Sequence, residues 1–330
     1  MVAYGAQEAL SPLLASAGRQ TLQPSRIRVW DNGPGQGVGP AVAGAAGVEV
    51  HRSAANLGFG EGVNRLFALA ESEVVVVANP DLALDPACVQ RLAAALEDDP
   101  EAVVAGGALA DTGQPARVNA FGQRLTWDLV GINTDRGLPF DAFLAAAPRG
   151  EAGYLGPSGA LFAVHRRRFL ARVGGPLFPA SFFLYMEDVA LWVRLRRAGV
   201  RILFCPAASA THGFSLSTGA RSALKLYQVE RNRLWLLRAL SGRPLAAALL
   251  PFTALRYLSY LLGRRAPARA EAAPASALAG AFARALRDGL FGPLPADVAG
   301  WFGPPPGLAG LGGLARYRAR LRDQLRDPVG

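Results

Sequence analysis

Three groups of residues have types and spacing suited to chemistry. The first is Asn79-Pro80-Asp81, a carboxylate set directly behind a run of β-branched residues and a proline. Rigid backbone holds such a carboxylate at a fixed point, which suits an oxygen ligand for a hard cation, Mg2+ or Mn2+. The same tripeptide is also good turn chemistry, and on these residues alone both readings stay open. The second is Glu187-Asp188, preceded by Phe182-Phe183-Leu184-Tyr185-Met186. Acids that open a helix complement its dipole and cap it. The aromatic run adds partial desolvation, which raises a carboxylate's pKa and basicity, as a general base for a sugar hydroxyl requires. The third is His212, a few residues after Pro206. A lone histidine is usually structural, and His51 and His165 are read that way. His212 gains weight only with carboxylate partners, as a further metal ligand through a neutral imidazole.

The elements that must position these groups alternate strand and helix. Ile27-Arg28-Val29-Trp30 predicts a strand ending in the turn Asp31-Asn32-Gly33, and Val48-Glu49-Val50 another ending near Asn56-Leu57-Gly58. Val74 to Ala78 is a continuous apolar run of the kind buried on both faces, stopping at Asn79-Pro80-Asp81. A helix follows from Pro86, then a strand from Val103. Repeated β-α-β predicts an α/β fold with a mostly parallel sheet and ligands at the carboxyl ends of its strands, so the three polar turns should converge. Residues 111–153 are loop-rich and unassigned. Further on, the pattern predicts a strand over 160–164, a helix over 187–198, a strand over 202–204 and an amphipathic helix over 221–240. Gly58-Phe59-Gly60-Glu61-Gly62 approaches a dinucleotide-binding loop, but Val63 stands where a third small residue is needed. An oxidoreductase is rejected on that ground; a helix N-terminus suited to phosphate remains.

Charge divides the chain. The total is +10, but residues 1–215 hold 18 Arg against 19 Asp and Glu, while residues 216–330 hold 16 Arg and Lys225 against 6 acids. A near-neutral front suits a catalytic domain; a basic, apolar back suits an anionic surface. The stretch 244–262 is close to membrane-spanning length, but Pro251 and Arg256 interrupt it, so it reads as interfacial. Arg264 to Ala275 reads as an Ala/Pro/Arg linker. A membrane surface accounts for Leu and Arg together, whereas nucleic acid accounts only for Arg, so no nucleic-acid partner is expected. Cys88 and Cys205 read as small buried residues in a reducing compartment, and no signal peptide opens the chain. The expected location is cytoplasmic, peripheral at the inner face of the plasma membrane.

Taken in order, these pieces resemble glycosyltransferase family 2, within it the bacterial rhamnosyltransferase-like members. The matching text runs from Val2-Ala3-Tyr4 through Trp30-Asp31-Asn32-Gly33, Asn56-Leu57-Gly58-Phe59-Gly60 and Ala78-Asn79-Pro80-Asp81. It continues through Ser158-Gly159-Ala160, Val173-Gly174-Gly175, Phe183 to Asp188, Arg194 to Gly199, Pro206 and His212, covering about residues 1–240. The resemblance implies a GT-A fold over 1–215, with a nucleotide-sugar half over about 1–110 and an acceptor half over about 111–215. Residues 216–330 then form a helical, amphipathic, membrane-associated extension. It implies a donor site with Tyr4 and Asp31 near the base and Asn56, Gly58, Asn79 and Asp81 alongside. It implies Ser158, Gly159 and Ala160 on the acceptor side, a metal on Asp81 and His212, and Asp188 as catalytic base beside Glu187. The implied reaction is an inverting, metal-dependent transfer from a nucleotide-sugar donor to a glycan or lipid-linked acceptor, with a lean to dTDP-rhamnose over UDP- or GDP-sugars. The alternative is a non-catalytic nucleotide-sugar-binding homologue. Three departures bear on that choice. Gly5 stands where Asn is usual, and Ala190 where a second Asp is common. The first strand is short, so that either the true start lies upstream or the sheet loses part of a strand beneath the nucleotide.

Overall fold

The computed structural model describes residues 1–4, 7–33, 37–42, 47–126, 128–133, 135–213, 222–261 and 273–302. Gly5, most of the Ala/Pro/Arg linker and the basic C-terminal end lie outside these residues. The chain forms two compact units. The first comprises Met1–Arg124, Ile132–Phe178 and Leu191–Ser217; the second comprises Leu125–Gly131, Pro179–Ala190 and Thr218–Gly330.

The first unit opens with β1 (Val2–Ala3), α1 (Gln7–Ala17), β2 (Ile27–Asp31), α2 (Gly39–Val42), β3 (Val48–Arg52) and α3 (Gly58–Ala68). There follow β4 (Val74–Ala78), β5 (Leu82–Leu84), α4 (Cys88–Asp98) and β6 (Ala102–Ala110). The loop-rich stretch resolves into β7 (Val118–Ala120), β8 (Gly122–Leu125), β9 (Gly131–Asn133), α5 (Phe140–Ala146), β10 (Gly150–Glu151) and β11 (Gly156–Pro157). The remaining elements are β12 (Leu161–His165), α6 (Arg166–Arg172) and β13 (Arg201–His212), while α7 (Glu187–Arg197) has its first turn, through Ala190, in the second unit and the rest in the first.

Parallel pairing is found within β1-β2-β3 and between β6 and β13. The larger sheet runs β10-β13-β6-β12-β4, with β5 on β13 and β7 on β6. In it β12 lies antiparallel between β4 and β6, pairing Phe162 with both Val77 and Gly106. All nine residues of β6 are buried, which explains its apolar, small-residue sequence. A β-carbon on Gly106 would fall 2.0 Å from Pro157, so only glycine lets β11 cross there. The core behind this sheet gathers Leu82, Leu92, Leu96, Leu109 and Leu161.

β1 has only two residues, pairing Val2 with Trp30 and Ala3 with Asp31. The Met1 amine donates to Arg28 O at 3.0 Å, and burial pushes its pKa down to about 5. A largely apolar cavity of about 400 Å3 is lined by Met1, Leu13, Ile27, Phe67 and the β4 residues Val74 to Ala78. An apolar slot thus lies beside β2 and β4.

The second unit is built on α8 (Ala223–Ala248), α9 (Leu250–Leu261), α10 (Ala275–Leu286) and α11 (Ala296–Phe302). α8 kinks at Gly242, whose φ of 80° is left-handed, two residues before Pro244. Much of its polar sequence faces inward: Gln228, Glu230, Asn232, Arg233 and Arg238 are buried. Arg233 donates to Glu230 Oε2 at 2.9 and 3.0 Å, to Asp128 O at 3.0 Å and to Thr253 Oγ1 at 2.9 Å. Arg256 of α9 closes the network on Asp128 and Glu230. Several arginines of the basic extension are therefore engaged within the fold. On α9, Phe252, Leu255 and Leu258 are at least half exposed at a spacing of three residues. None of the described helices is long and apolar enough to cross a membrane.

Candidate active site

Two of the three polar turns converge at the carboxyl ends of β2 and β3. Asn32 accepts from Leu57 N at 3.0 Å and donates to Gly58 O at 2.8 Å, tying the Asp31 turn to the start of α3. Asn56 Oδ1 accepts from Gly58 N at 2.9 Å, capping the helix opening. Asp31 is buried, its oxygens accepting from Gly33 N at 2.8 Å and Val38 N at 3.1 Å, with Arg52 Nε at 3.6 Å. Arg52 also donates to Gly33 O at 2.8 Å. Its sequence position at a strand end gave no signal for this role. Tyr4 ends β1 with 54% of its surface exposed. The third turn, Asn79-Pro80-Asp81, follows β4 in the other sheet.

Asp81 and His212, 131 positions apart, meet because β5 doubles back from that turn and pairs with the end of β13, setting His212 opposite Leu82. Gly213 N donates to Asp81 O at 2.8 Å. His212 Nε2 lies 3.2 Å from Asp81 Oδ1, and its Nδ1 lies 2.9 Å from Asn119 Oδ1 on β7. With the Asn119 oxygen as acceptor, Nδ1 carries the proton. Nε2 then faces the Asp81 carboxylate. Asn79 Oδ1 is buried with no hydrogen-bond partner among the described residues. Carboxylate and imidazole are donors that fit a hard divalent ion, and the Asn79 amide oxygen belongs to the same turn as that carboxylate. Among the described residues no group of three His, Cys, Asp or Glu surrounds such an ion, so further ligands would come from elsewhere, as substrate phosphates do for Mg2+. The Ser158-Gly159-Ala160 turn adjoins this one, because Asn79 N donates to Ala160 O at 2.9 Å. Ser158 is buried, and its Oγ accepts from Ala160 N at 3.3 Å. Asn119 escaped the sequence reading because it sits in the unassigned stretch.

Glu187 and Asp188 fall in the second unit, in the first turn of α7. Glu187 is buried, and its Oε2 has no hydrogen-bond partner among the described residues. Burial, then the neighbouring Asp188 charge, pushes its pKa up to about 8. The desolvation expected of the pair thus falls on Glu187, which is neutral at pH 7. Asp188 is half-buried, with Oδ1 accepting from Val189 N at 2.8 Å.

Known proteins resemble this chain in sequence and in fold. The sequence pattern of Glycosyl transferase family 2 matches residues 1–134. N-acetylglucosaminyl-diphospho-decaprenol L-rhamnosyltransferase from Mycobacterium tuberculosis, in strains CDC 1551 / Oshkosh and ATCC 25618 / H37Rv, is 30% identical over 254 residues. The match covers 68% of this chain and 78% of the relative. The chain belongs to glycosyl transferase family 2. It is a glycosyltransferase. Among solved structures, S. aureus TarS 1-349 in complex with UDP superposes with a TM-score of 0.51 at 16% identity, over 98% of this chain and 87% of that one. GalNAc-T7 with UDP, GalNAc and Mn2+ gives 0.53 at 14% identity, over 69% of this chain. This chain spans only 44% of the GalNAc-T7 chain. At such identities the likeness establishes the fold, which is GT-A.

Proposed function

We propose that this glycosyltransferase moves rhamnose from dTDP-rhamnose to a hydroxyl of N-acetylglucosamine held on a polyprenyl diphosphate, for cell-surface polysaccharide synthesis. The observation that carries this reading is the 254-residue match to proteins named N-acetylglucosaminyl-diphospho-decaprenol L-rhamnosyltransferase. The donor diphosphate is assigned to the Asp81 side, with Asn79 and His212, and the nucleoside to the turns around Asp31 and Asn56. A divalent cation bound by Asp81 and His212 would neutralise charge on the departing nucleoside diphosphate. Asn119 fixes the His212 ring so that Nε2 faces Asp81. Asp188 takes the acceptor hydroxyl proton as that oxygen bonds to the anomeric carbon. The bond to the diphosphate oxygen breaks on the opposite face, so a single displacement inverts configuration. Neutral Glu187 leaves the pair with one negative charge, on the residue assigned as base.

The exposed Phe252, Leu255 and Leu258 of α9 support attachment at the inner face of the plasma membrane, where a lipid-linked acceptor is presented. Leu255→Asp should reduce binding to anionic vesicles; equal partition of variant and parent would remove that part of the reading. The donor assignment is tested by thermal unfolding with Mn2+ and, separately, dTDP, UDP and GDP, each repeated with EDTA. A ligand at a hundred times its Kd adds about 2.7 kcal/mol to the folded state, so a metal-dependent shift with dTDP alone is expected. A shift only with UDP or GDP would reassign the donor.

A further inference from the structure

The segment that leads into Glu187 and Asp188 has an unusual backbone. After a 3-10 turn over Ala180–Phe182, Phe183, Tyr185 and Met186 have φ of 62°, 67° and 70°. None is glycine, and a bulky residue with a left-handed φ is disfavoured. Three within four positions persist only where surrounding structure over-determines them.

That structure is α8. Asn232, wholly buried, directs Nδ2 at three carbonyls: Phe182 O at 2.9 Å, Leu184 O at 3.0 Å and Tyr185 O at 2.8 Å. An amide has two N–H groups, so all its donor capacity goes to this segment. Its oxygen accepts from Arg231 Nε at 3.0 Å and Nη2 at 2.9 Å, which fixes which end of the amide faces the loop. Arg231 Nη2 also reaches Phe182 O at 3.1 Å, while the guanidinium lies 4.4 Å from the Trp235 ring centre. On the other side Asp297 of α11 accepts from Ser181 N at 2.9 Å and Oγ at 2.6 Å. Met186 O then accepts from Ala190 N at 3.0 Å, starting α7.

We propose that Asn232 and Arg231 are positioning residues for the reaction: they hold the Phe183–Met186 backbone, with its positive φ at Phe183, Tyr185 and Met186, that aims the first turn of α7, and with it Asp188. The inference rests on the reading of Asp188 as base. It gives the C-terminal helices a role in turnover besides membrane attachment.

The test is steady-state transfer from dTDP-rhamnose to N-acetylglucosaminyl-diphospho-polyprenol by full-length Asn232→Ala, Arg231→Lys and Asp188→Asn, with hydrogen exchange over residues 181–190. Misplacement by about 1 Å costs roughly 10²-fold, so Asn232→Ala should lower kcat by about that factor at unchanged donor KM, with faster exchange in this segment. In the Asn232→Ala background, Tyr185→Gly makes a left-handed φ cheap and should recover part of the lost kcat. Arg231→Lys keeps the charge but loses the planar fork, and should lower kcat by about 10-fold with Tm unchanged. If Asn232→Ala does not fold, Arg231→Lys decides. Parental kcat in the folded variants beside a dead Asp188→Asn overturns the positioning role alone. Parental kcat in Asp188→Asn overturns the base assignment, and with it this inference. Should no sugar transfer be observed, parental exchange over 181–190 in Arg231→Lys and Asn232→Ala overturns the clamp.

Discussion

Replacing Glu187 by Gln should make the protein more stable at pH 8 and less stable at pH 4, where only the cost of the buried amide remains. In the folded chain this carboxyl titrates near 8 against an ordinary 4.5, because it is buried and lies beside Asp188. Below pH 4.5 both folded and unfolded chains hold the proton. Between 4.5 and 8 the unfolded chain has released it and the folded chain has not, so stability falls as pH rises. At 1.36 kcal/mol per unit, a span of about 3.5 units sets a ceiling of about 5 kcal/mol above pH 8. Gln has the same shape and no charge, but it buries an N–H pair where Oε2 has no partner, at a cost of about 1–3 kcal/mol. The net gain at pH 8 is therefore about 2–4 kcal/mol. Urea unfolding of parent and variant at pH 4, 6 and 8 measures it. A stability difference that stays flat across these three values would refute the claim that Glu187 is neutral in the folded protein.

Arg233→Met should cost about 3–5 kcal/mol, read from the urea midpoint, because it leaves Glu230 and Asp128 buried with Arg256 as their remaining strong cationic partner. Asn119→Ala frees the His212 ring; Mn2+-dependent dTDP affinity should fall about 10- to 100-fold by calorimetry, with Tm in the absence of ligand little changed. A chain carrying five alternating β-branched residues before Met1 should fill the slot beside β4 and raise Tm on the order of 5 °C in differential scanning calorimetry.

Much of this was readable from residue type and spacing. Val74 to Ala78 announced a strand, although only Val77 and Ala78 are fully buried, and Asn79-Pro80-Asp81 marked its end. The meeting of the Asp31 and Asn56 turns followed from placing both at strand carboxyl ends. Pairing of Asp81 with His212 depends on β5, three residues long and too short to leave a periodic signal. The antiparallel direction of β12 is likewise silent in its sequence, since side-chain pattern reports which face is buried and not which way a neighbouring strand runs. Residues 111–153 hid β7 and Asn119 among glycines and prolines, because two- and three-residue strands depend on tertiary pairing rather than local preference. The net charge of the basic extension does not tell which arginines face solvent: Arg231, Arg233 and Arg238 satisfy carbonyls and carboxylates inside the second unit. A buried arginine has the same letter as an exposed one, and only its partners distinguish them.

The most direct measurement of the central claim is product formation by the full-length protein and by Asp188→Asn. Each is incubated with Mn2+, dTDP-rhamnose and N-acetylglucosaminyl-diphospho-polyprenol, and the lipid product is followed by mass spectrometry. The account predicts one added deoxyhexose with the parent protein. For Asp188→Asn it predicts turnover lowered by about 10²- to 10⁴-fold with dTDP affinity preserved. Equal turnover in the two proteins would contradict it.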